Sequence, residues 1–440
     1  MTELLNTLYV QTPGTSLHLD GDTVRVYHPD QPGRHLLPLV RLDHLVLFTG
    51  VTPSDDLLLR CADDGRPVSW LTRSGRFRAS LVGPTHGNPL LRQAQHRAAD
   101  TLEQQLPIAI ATVAGKIHNA RQVLLRAARD TSGHRQTALR ASVELLAARL
   151  ALLATTASTN EVLGVEGIAA RDYFAAMPYL LTESKDWKAS GRNKRPPTDP
   201  LNCLLSFLYG MLRVAVQGAL DQVGLDPYIG FLHAVRPGKP ALALDLMEEF
   251  RPLLADRLAL TMLNRRELTP TDFEELPNKA YRLTDTGRKT VLTAWQQSRQ
   301  RNWPHTQLGR EVPRRAATTR AGPAARTPPP RRPARLPAMD GELTMDLLVT
   351  YDVETATPEG QRRLRKVAKI CEAYGHRVQK SVFEVVCRET DKARLVSALE
   401  EAINPTQDSI RIYRLPAHAL DDVEHLGKPR QTDPRGALVI

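Results

Sequence analysis

The chain is poor in cysteine and in long hydrophobic runs. Its four cysteines, Cys61, Cys203, Cys371 and Cys387, are spread over 440 residues and are too scattered for a disulfide framework or a zinc knuckle. No apolar run approaches the roughly 18 residues of a membrane span, and no charged-then-apolar signal segment stands at the N-terminus. We therefore expect a reducing compartment, the cytoplasm, and no membrane partner.

Negative charge is also in short supply. The chain has 48 Asp and Glu against 59 Lys and Arg, which gives a formal net charge of +11 and an isoelectric point of about 9.6. This surplus favours a polyanionic partner, and nucleic acid fits better than a membrane surface. The length and a hydrophobic content of 42% predict two or three domains, each with its own core.

Composition and periodicity change along the chain and predict a multidomain α+β protein of four segments. Residues 1–85 alternate apolar and polar residues between Gly and Asp turns, which predicts a β-rich N-terminal domain. Residues 86–303 carry apolar residues at three-to-four spacing, which predicts an α-helical domain. Residues 304–343 form a linker rich in Pro and Arg, and residues 344–440 hold a further domain with a C-terminal tail.

The last two segments differ in physical character. The linker has almost no large apolar side chain and cannot offset its ordering entropy by burial, so we expect it to be disordered and partly extended. Its length argues against a surface loop of the preceding domain. The final domain alternates strand and helix patterns in the order βαββαβ, which predicts a ferredoxin-like sandwich.

A histidine and three carboxylates lie close together in the sequence. His233 precedes an R-P-G-K-P turn, and Asp245, Glu248 and Glu249 follow it at helical spacing on one face. Like charges on one face repel, so a divalent metal or an Arg/Lys cluster would explain them. His with carboxylates suits Mg²⁺ or Mn²⁺ better than a soft metal. A solvated face with acids near a helix start is the alternative.

Two further acidic residues are candidate metal ligands. Glu166 lies in a helical pattern between Gly164 and Gly167, where two glycines suggest the close approach of a ligand or another backbone. An ordinary surface glutamate is the alternative. Asp352 ends a hydrophobic strand, and such a carboxylate either binds metal or caps the loop that follows.

Two groups of residues are candidates for contacting nucleic acid. Lys116, Asn119 and Arg121 place donors on one helix face suited to phosphates, although a solvated helix surface is an equally good explanation. The second group combines cations with one aromatic ring in a proline-broken loop, a mixture used against DNA strands or splayed bases. It consists of Trp187, Lys188, Arg192, Lys194 and Arg195.

Three motifs occur in the order of one known family. They are G-V-E-G-I-A-A-R-D-Y-F around Glu166, G-R-N-K-R-P-P-T-D-P-L-N-C-L-L-S-F-L-Y-G at 191–210, and G-F-L-H…L-D-L-M-E-E-F-R-P from Gly230. Up to about residue 300 the chain resembles the CRISPR-associated spacer integrase (Cas one), especially the form of type I-C systems. With V-T-Y-D-V, V-Q-K-S-V-F-E and S-I-R-I-Y-R-L, the last domain resembles the small adaptation partner (Cas two). The chain therefore looks like a natural fusion of both.

The resemblance implies a site, a reaction and an assembly. It places Glu166, His233 and Glu248 on the family's catalytic metal ligands for Mg²⁺ or Mn²⁺, and Asp245 on a neighbouring acidic position that could be the third ligand instead of Glu248. It implies an endonuclease-type enzyme that inserts captured double-stranded DNA into the CRISPR repeat by attack of a 3′-hydroxyl. It also implies a homo-oligomer, in which integrase dimers are bridged by a dimer of the small partner.

Three alternatives stay open at this level. A structure-specific metal nuclease acting on branched DNA in repair would need the same site as an integrase. A non-catalytic DNA scaffold would use the carboxylates only to pair with cations. The last domain could also act as a ribonuclease through Asp352.

Overall fold

The structure is a computed structural model, and it describes residues 6–29, 31–84, 89–182, 187, 191–193, 196–305, 310–313, 344–416, 419–420 and 438–439. The chain divides into two compact units. The first comprises residues 1–68, 306–313 and 331–440, and the second comprises residues 69–305 and 314–330. Most of the predicted linker lies outside the described residues. Its described parts are extended, in the strands Asn302–His305 and Arg310–Pro313.

The N-terminal part of the first unit is rich in strands, as predicted. They are β1 (Asn6–Val10), β2 (Ser16–Asp20), β3 (Thr23–His28), β4 (Gln31–Pro38), β5 (Leu42–Phe48) and β6 (Thr52–Pro53), followed by helix α1 (Asp55–Asp63). One sheet has the order β4-β3-β2-β6. Strand β1 pairs in parallel with β5 and, on its other side, with the C-terminal strand Leu438–Val439. The end of the chain therefore returns to its beginning.

The C-terminal domain of this unit has the predicted ferredoxin-like order. Its elements are the strands Thr344–Asp352, Gly375–Gln379, Val382–Arg388 and Ser409–Leu415, with the helices Pro358–Tyr374 and Glu389–Glu400 between them. The second strand pairs with the third, and the first strand lies between the third and the fourth, all antiparallel. Alternate residues of the first strand, Leu347 and Val349, are fully buried. The predicted period of two therefore builds this sheet.

The second unit contains a short hairpin and a group of helices. These are β7 (Val68–Leu71), β8 (Phe77–Ser80), α2 (Pro89–Asp100), α3 (Leu102–Arg129), α4 (Gly133–Leu152), α5 (Thr159–Ala175), α6 (Met177–Leu180), α7 (Pro200–Val223), α8 (Ala241–Phe250), α9 (Arg257–Asn264), β9 (Phe273–Glu275), β10 (Tyr281–Leu283) and α10 (Asp285–Gln300). Helix α3 packs against α4, α5 and α8. The multidomain α+β class is thus confirmed.

Helix α7 forms the centre of this unit. Asp199 caps its N-terminus, where Asp199 Oδ1 accepts a hydrogen bond from Asn202 N at 2.7 Å, and Gly224 ends it with a φ of 79°. By length and composition α7 could cross a membrane, but 72% of its most apolar window is buried, as in the core helix of a globular domain. Its apolar residues are not consecutive, so a search for long runs does not find it.

Helices α8 and α9 are joined by a π-helical segment, Arg251–Asp256. Pro252 lies at the start of this segment and has no N–H to donate, which disrupts the α-helical hydrogen bonds there. Such π-helical turns are rare and are frequent at functional sites. Side chains within this segment therefore do not follow the three-to-four spacing of an α-helix.

Candidate active site

Asp245 of α8 ties the loop that carries His233 to the helix. Its Oδ2 accepts hydrogen bonds from the backbone N–H of Phe231 at 2.6 Å and Leu232 at 2.9 Å, and its Oδ1 accepts the N–H of His233 at 2.9 Å. The loop can approach this closely because residue 230 is glycine. A Cβ at Gly230 would lie 2.6 Å from Asp245 Oδ2. The carboxylate thereby fixes the position of the histidine.

The same carboxylate orients the imidazole ring. His233 Nδ1 lies 2.7 Å from Asp245 Oδ1. Because the carboxylate accepts, Nδ1 carries the proton, and the lone pair of Nε2 is left for another partner. A carboxylate behind a histidine in this way is the usual second partner of a metal-binding imidazole. Both oxygens of Asp245 are used in these contacts, and only 2% of its side chain is exposed.

Glu166 of α5 and Glu248 of α8 meet at one ammonium group. Lys116 of α3 donates a short hydrogen bond to Glu166 Oε1, and its Nζ lies 2.6 Å from Glu248 Oε2. Arg251 NH1 lies 2.9 Å from the other oxygen, Glu248 Oε1. The two carboxylates predicted from distant motifs are thus brought to a single cation in a buried place.

The charges of this cluster hold Glu248 in its ionised form. Burial alone would raise the pKa of Glu248, but the nearby charges of Arg251, Lys116 and His233 outweigh it and lower the pKa to about 2. Burial likewise opposes the charge of Lys116, whereas Glu248 and Glu166 raise the pKa of Lys116 above its usual value. Glu248 is therefore a carboxylate at every pH at which the protein would work.

Tyr209 and Asp256 lie beside this cluster, and the sequence analysis identified neither of them. Tyr209 of α7 donates a hydrogen bond of 2.6 Å to Oδ1 of Asp256, which is 1% exposed. The guanidinium carbons of Arg251 and Arg192 lie 4.9 Å and 5.3 Å from the centre of the Tyr209 ring. Such distances allow cation–π contacts. Tyr209 therefore connects a buried acid to the arginine that balances Glu248.

The pKa of Asp256 is shifted in the opposite direction to that of Glu248. Burial raises the pKa of Asp256 to about 6, and the hydrogen bond of Tyr209 and the charges of Arg251 and Arg192 lower it only in part. A cavity of about 30 Å³ adjoins Tyr209 and Asp256. Its lining includes Lys116, Tyr173, Tyr209, Arg251 and Asp256. Asp256 lies eight residues after Glu248, at the end of the π-helical segment, where α-helical spacing does not relate the two.

The predicted phosphate-binding face of α3 is largely occupied by internal contacts. Lys116 pairs with the two glutamates, and Asn119 Nδ2 donates to the backbone oxygen of Glu249 at 2.8 Å. Arg121 is half-buried. Glu249, predicted to share a face with Glu248, lies against Gly115 of α3, where an added Cβ would be 3.1 Å from the Glu249 Cδ.

The predicted cationic loop is described only in part. Lys188, Lys194 and Arg195 lie outside the described residues. Arg192 is described, and its NH1 donates to Asn202 Oδ1 at 2.7 Å. Trp187 is 3% exposed and meets Phe273 edge-on, with 6.1 Å between ring centres. A ring buried in this way is not available for stacking on a base.

Two other expectations from the sequence can be compared with the structure. A Cβ at Gly164 or Gly167 would meet no atom within 4 Å, so neither glycine beside Glu166 is required by a close approach here. Asp352 is exposed at the end of its strand in the first unit, opposite Ser409. Asp352 therefore belongs to a different part of the molecule from Glu166, His233 and Glu248.

The donor set of the cluster fits a hard divalent cation. Among the described residues, no three His, Cys, Asp or Glu side chains are close enough to hold a metal ion as they stand. The carboxylates of Glu166 and Glu248, however, already gather round a positive charge, the ammonium of Lys116. His233 lies near enough to influence Glu248. Two carboxylates with one imidazole suit Mg²⁺ or Mn²⁺.

Comparison with known proteins identifies the family of each part of the chain. The profile of the family described as CRISPR associated protein Cas1 matches residues 8–297, and that of CRISPR associated protein Cas2 matches residues 345–423. A CRISPR-associated endonuclease Cas1 from Moorella thermoacetica is 43% identical over 312 residues, which cover 70% of this chain and 91% of that protein.

Two solved structures share the fold. A Cas1 protein from Thermotoga maritima is 22% identical with a TM-score of 0.62, and the match covers 71% of this chain and 93% of that one. A casposase bound to its integration product is also 22% identical with a TM-score of 0.62, covering 71% of this chain and 88% of that one. The Cas1 profile spans well over half of the residues. The chain belongs to the Cas1 family of CRISPR associated proteins and carries a Cas2 domain behind it in the same polypeptide.

Proposed function

We propose that this chain is a metal-dependent DNA integrase of CRISPR adaptation, which joins the 3′-hydroxyl ends of captured double-stranded DNA to the CRISPR repeat. The observation that carries the proposal is that Glu166 and Glu248 both contact the ammonium group of Lys116, with His233 nearby. Family membership supports the same reaction. We also propose a member of the type I-C kind, because the motifs around Glu166, at 191–210 and from Gly230 together resemble that form.

Three residues would hold Mg²⁺ or Mn²⁺, namely Glu166, His233 through Nε2, and Glu248. When bound, the metal would polarise the phosphate under attack and favour the 3′-alkoxide as nucleophile. We assign Asp245 to orienting His233, because both oxygens of Asp245 are already used by the ring and the loop backbone. Asp245 is then a positioning residue, and Glu248 is the third ligand.

The cations of the site prepare the carboxylates. Arg251 and Lys116 keep Glu248 ionised at neutral pH, so Glu248 needs to lose no proton before it binds a cation. The Tyr209 ring contacts the guanidinium group of Arg251, and the hydrogen bond from Tyr209 to Asp256 fixes that ring. A site fixed before its ligand arrives spends little free energy on reorganisation during the reaction.

We propose that the Cas2 domain acts as a structural bridge between integrase dimers, so that the working protein is a homo-oligomer bound to DNA. The net charge of +11 supports binding to a polyanion. Asp352 is exposed at a strand end and has no assigned part in the reaction. This assignment makes the ribonuclease alternative the less favoured one.

A strand-joining assay with purified full-length protein tests the proposal. A short duplex with 3′-hydroxyl ends is incubated with a plasmid that contains a repeat, in Mg²⁺ or Mn²⁺. Glu166→Gln, His233→Ala and Glu248→Gln should abolish joining while DNA binding remains. The matched control is Glu144→Gln, which removes an exposed carboxylate of α4.

The chemistry of the duplex end separates the alternatives. A 3′-deoxy end should prevent joining, because transesterification needs the hydroxyl as nucleophile. Cleavage that continues with such ends, without joining of hydroxyl ends, would favour a repair nuclease. DNA binding without either reaction would favour a scaffold. Joining by the Glu166→Gln protein in Mn²⁺ would remove Glu166 from the metal site.

A further inference from the structure

The loop that carries His233 is also held at its beginning, by a glutamine of α2. Gln95 is 5% exposed. Its Nε2 donates hydrogen bonds to the backbone oxygens of Asp226 at 2.8 Å and Ile229 at 2.7 Å, and its Oε1 accepts the N–H of Asp226 at 2.8 Å. The donor nitrogen and the acceptor oxygen of this side chain are therefore both used by one short stretch of backbone.

This stretch leads directly to the histidine. Three residues separate Ile229 from His233, and Asp245 of α8 accepts the backbone N–H groups of residues 231–233. Between the two ends, the Pro227 oxygen accepts the N–H of Leu242, at the start of α8, at 3.0 Å. The loop 226–233 is thus held by α2 at its start and by α8 along the rest of its length.

The contact with Ile229 sets the direction of the chain just before the histidine. A peptide unit is planar and almost always trans, so its carbonyl and its N–H point in opposite directions. With the Ile229 oxygen held at Gln95, the N–H of Gly230 points away from α2. The chain is already close to α8 here, because a Cβ at Gly230 would lie 2.7 Å from the backbone carbon of Ala241. Gln95 therefore fixes the peptide unit at which the chain passes from α2 to α8.

Packing alone does not require a glutamine at this place. Among the described residues of α2, only Gln95 is buried, and a buried residue that merely fills space is usually apolar. Arg92 and His96 of the same helix reach the region from its surface. Arg92 Nε donates to the Gly224 oxygen at 3.2 Å, and His96 Nε2 lies 3.5 Å from Asp226 Oδ2. The buried amide adds what these contacts do not, namely a fixed backbone conformation.

We propose that Gln95 is a positioning residue of the active site, which acts through the loop to hold the imidazole of His233 in the orientation needed for metal binding. The inference rests on the proposed function, because the metal site gives His233 its task. Altering a residue that orients a metal-binding imidazole usually changes metal affinity or activity by about 10–100-fold. Asp245 contacts the ring itself, whereas Gln95 acts one step further away. We therefore expect an effect of about tenfold.

Four variants separate positioning from the stability of α2. Gln95→Leu keeps a good helix former but makes none of the three hydrogen bonds. Gln95→Glu stays polar and can accept the N–H of Asp226, but its carboxylate cannot donate to the two carbonyl oxygens. Gln93→Leu makes the same change at an exposed position of α2 and is the matched control. Ala94→Gly, also exposed, weakens the helix without touching the loop.

The first measurement is amide hydrogen exchange of the full-length, metal-free protein, followed by mass spectrometry. Peptides that span residues 226–233 should exchange about tenfold faster in Gln95→Leu and in Gln95→Glu, because the lost hydrogen bonds allow the loop to open locally. Gln93→Leu should exchange as the unaltered protein does. Since no metal is present, this measurement reports the loop and not the reaction.

The second measurement is Mn²⁺ binding to the full-length protein without DNA, by electron paramagnetic resonance. Gln95→Leu should weaken binding about tenfold. Ala94→Gly should lower the urea midpoint of unfolding and leave Mn²⁺ affinity unchanged, because the folded protein keeps the hydrogen bonds of Gln95. In a His233→Ala background, Gln95→Leu should have no further effect, since a residue that acts through the imidazole then has nothing to position.

Three outcomes would overturn the proposal. The first is a Gln95→Leu protein with unchanged loop exchange and unchanged Mn²⁺ affinity. The second is an equal loss of Mn²⁺ affinity in Ala94→Gly, which would reduce Gln95 to a stabiliser of α2. The third is a further tenfold loss in the His233→Ala background, which would show that Gln95 acts by another route.

The same measurements stay separate from the proposed function. Neither hydrogen exchange nor Mn²⁺ binding requires strand joining. If the unaltered protein joins no DNA while Gln95→Leu still opens the loop and weakens Mn²⁺ binding, the integrase assignment fails and the positioning role of Gln95 stands. If joining occurs, the Mn²⁺ concentration for half-maximal joining should rise about tenfold in Gln95→Leu, with the rate restored at saturating Mn²⁺.

Discussion

Glu248 and Asp256 are buried acids of the same bent helix, and their pKa values move in opposite directions. Burial raises both. At Glu248 the charges of Arg251 and Lys116 outweigh burial and lower the pKa to about 2, whereas at Asp256 burial prevails and the pKa rises to about 6. The closest partner of Asp256 is the neutral hydroxyl of Tyr209. The kind of partner, charged or neutral, therefore decides which acid is permanently ionised.

This difference assigns the two acids to different tasks. Glu248 is an anion throughout the physiological pH range and is suited to hold a cation. Asp256 changes its protonation state near pH 6. It is suited to accept a hydrogen bond from the Tyr209 hydroxyl, and the Tyr209 ring contacts Arg251. The comparison can be tested by changing each acid and its surroundings in turn.

The largest effect is expected from Glu248→Gln. The change leaves the half-buried Arg251 without its carboxylate and removes one of the two partners of Lys116. Breaking a buried ion pair from one side costs about 3–5 kcal/mol. We expect a loss of this order in the free energy of unfolding of the helical unit, measured by urea denaturation. Glu144→Gln should change it by less than about 0.5 kcal/mol. An equally small change for Glu248→Gln would contradict the ion-pair account.

The next effect is the pH dependence of Asp256→Asn. The pKa of Asp256 is raised from 3.8 to about 6, so folding favours the protonated acid. The stability that Asp256 contributes is therefore present below about pH 4 and lost as the pH rises through 6. Relative to Asp256→Asn, the unaltered protein should lose about 3 kcal/mol of stability between pH 4 and pH 7. Unfolding curves across this range give the difference, and a difference constant with pH would contradict the raised pKa.

A smaller effect is expected from Tyr209→Phe. The ring that contacts Arg251 and Arg192 remains, but the hydroxyl that donates to Asp256 is lost. Loss of one such hydrogen bond costs about 1–3 kcal/mol. Because that bond favours the carboxylate, its loss should raise the pKa of Asp256 further and shift the pH dependence to higher pH. A shift to lower pH would show that Tyr209 acts on Asp256 in another way.

The smallest effect is expected from Asp352→Ala. Asp352 is exposed and takes no part in the buried cluster, so stability should change by less than about 0.5 kcal/mol. Strand joining should also stay the same, since the Cas2 domain is proposed to act as a bridge. Joining lost while the oligomer, measured by light scattering, stays intact would make this domain catalytic.

The sequence predicted the fold where the pattern is local. The βαββαβ order follows from alternation within each strand, as Leu347 and Val349 illustrate. The pairing of the C-terminal strand with β1 joins Leu438 to Leu8, and no local pattern relates residues so far apart. Long-range pairings depend on the whole chain, which single-sequence reasoning does not include.

The sequence predicted the acidic residues of the candidate site but not the role of its cations. Glu166, His233 and Glu248 were found from motifs. Lys116 was predicted to contact phosphates because its helix face is rich in donors, and the structure places it between the half-buried Glu166 and the buried Glu248. Asp256 gave no signal, since the π-helical segment interrupts the spacing that would have related it to Glu248.

The π-helical segment places one extra residue in an otherwise continuous helix. In a regular α-helix each residue turns the chain by about 100°, whereas the wider i→i+5 turns of a π-helix turn it less. Deleting one residue between 251 and 256 would therefore let the segment become α-helical while α9 keeps its direction relative to Glu248. Six α-helical residues in the same place would instead rotate α9 by about one residue's turn, so the wide turns let the helix hold one more peptide unit without turning α9 away from its neighbours.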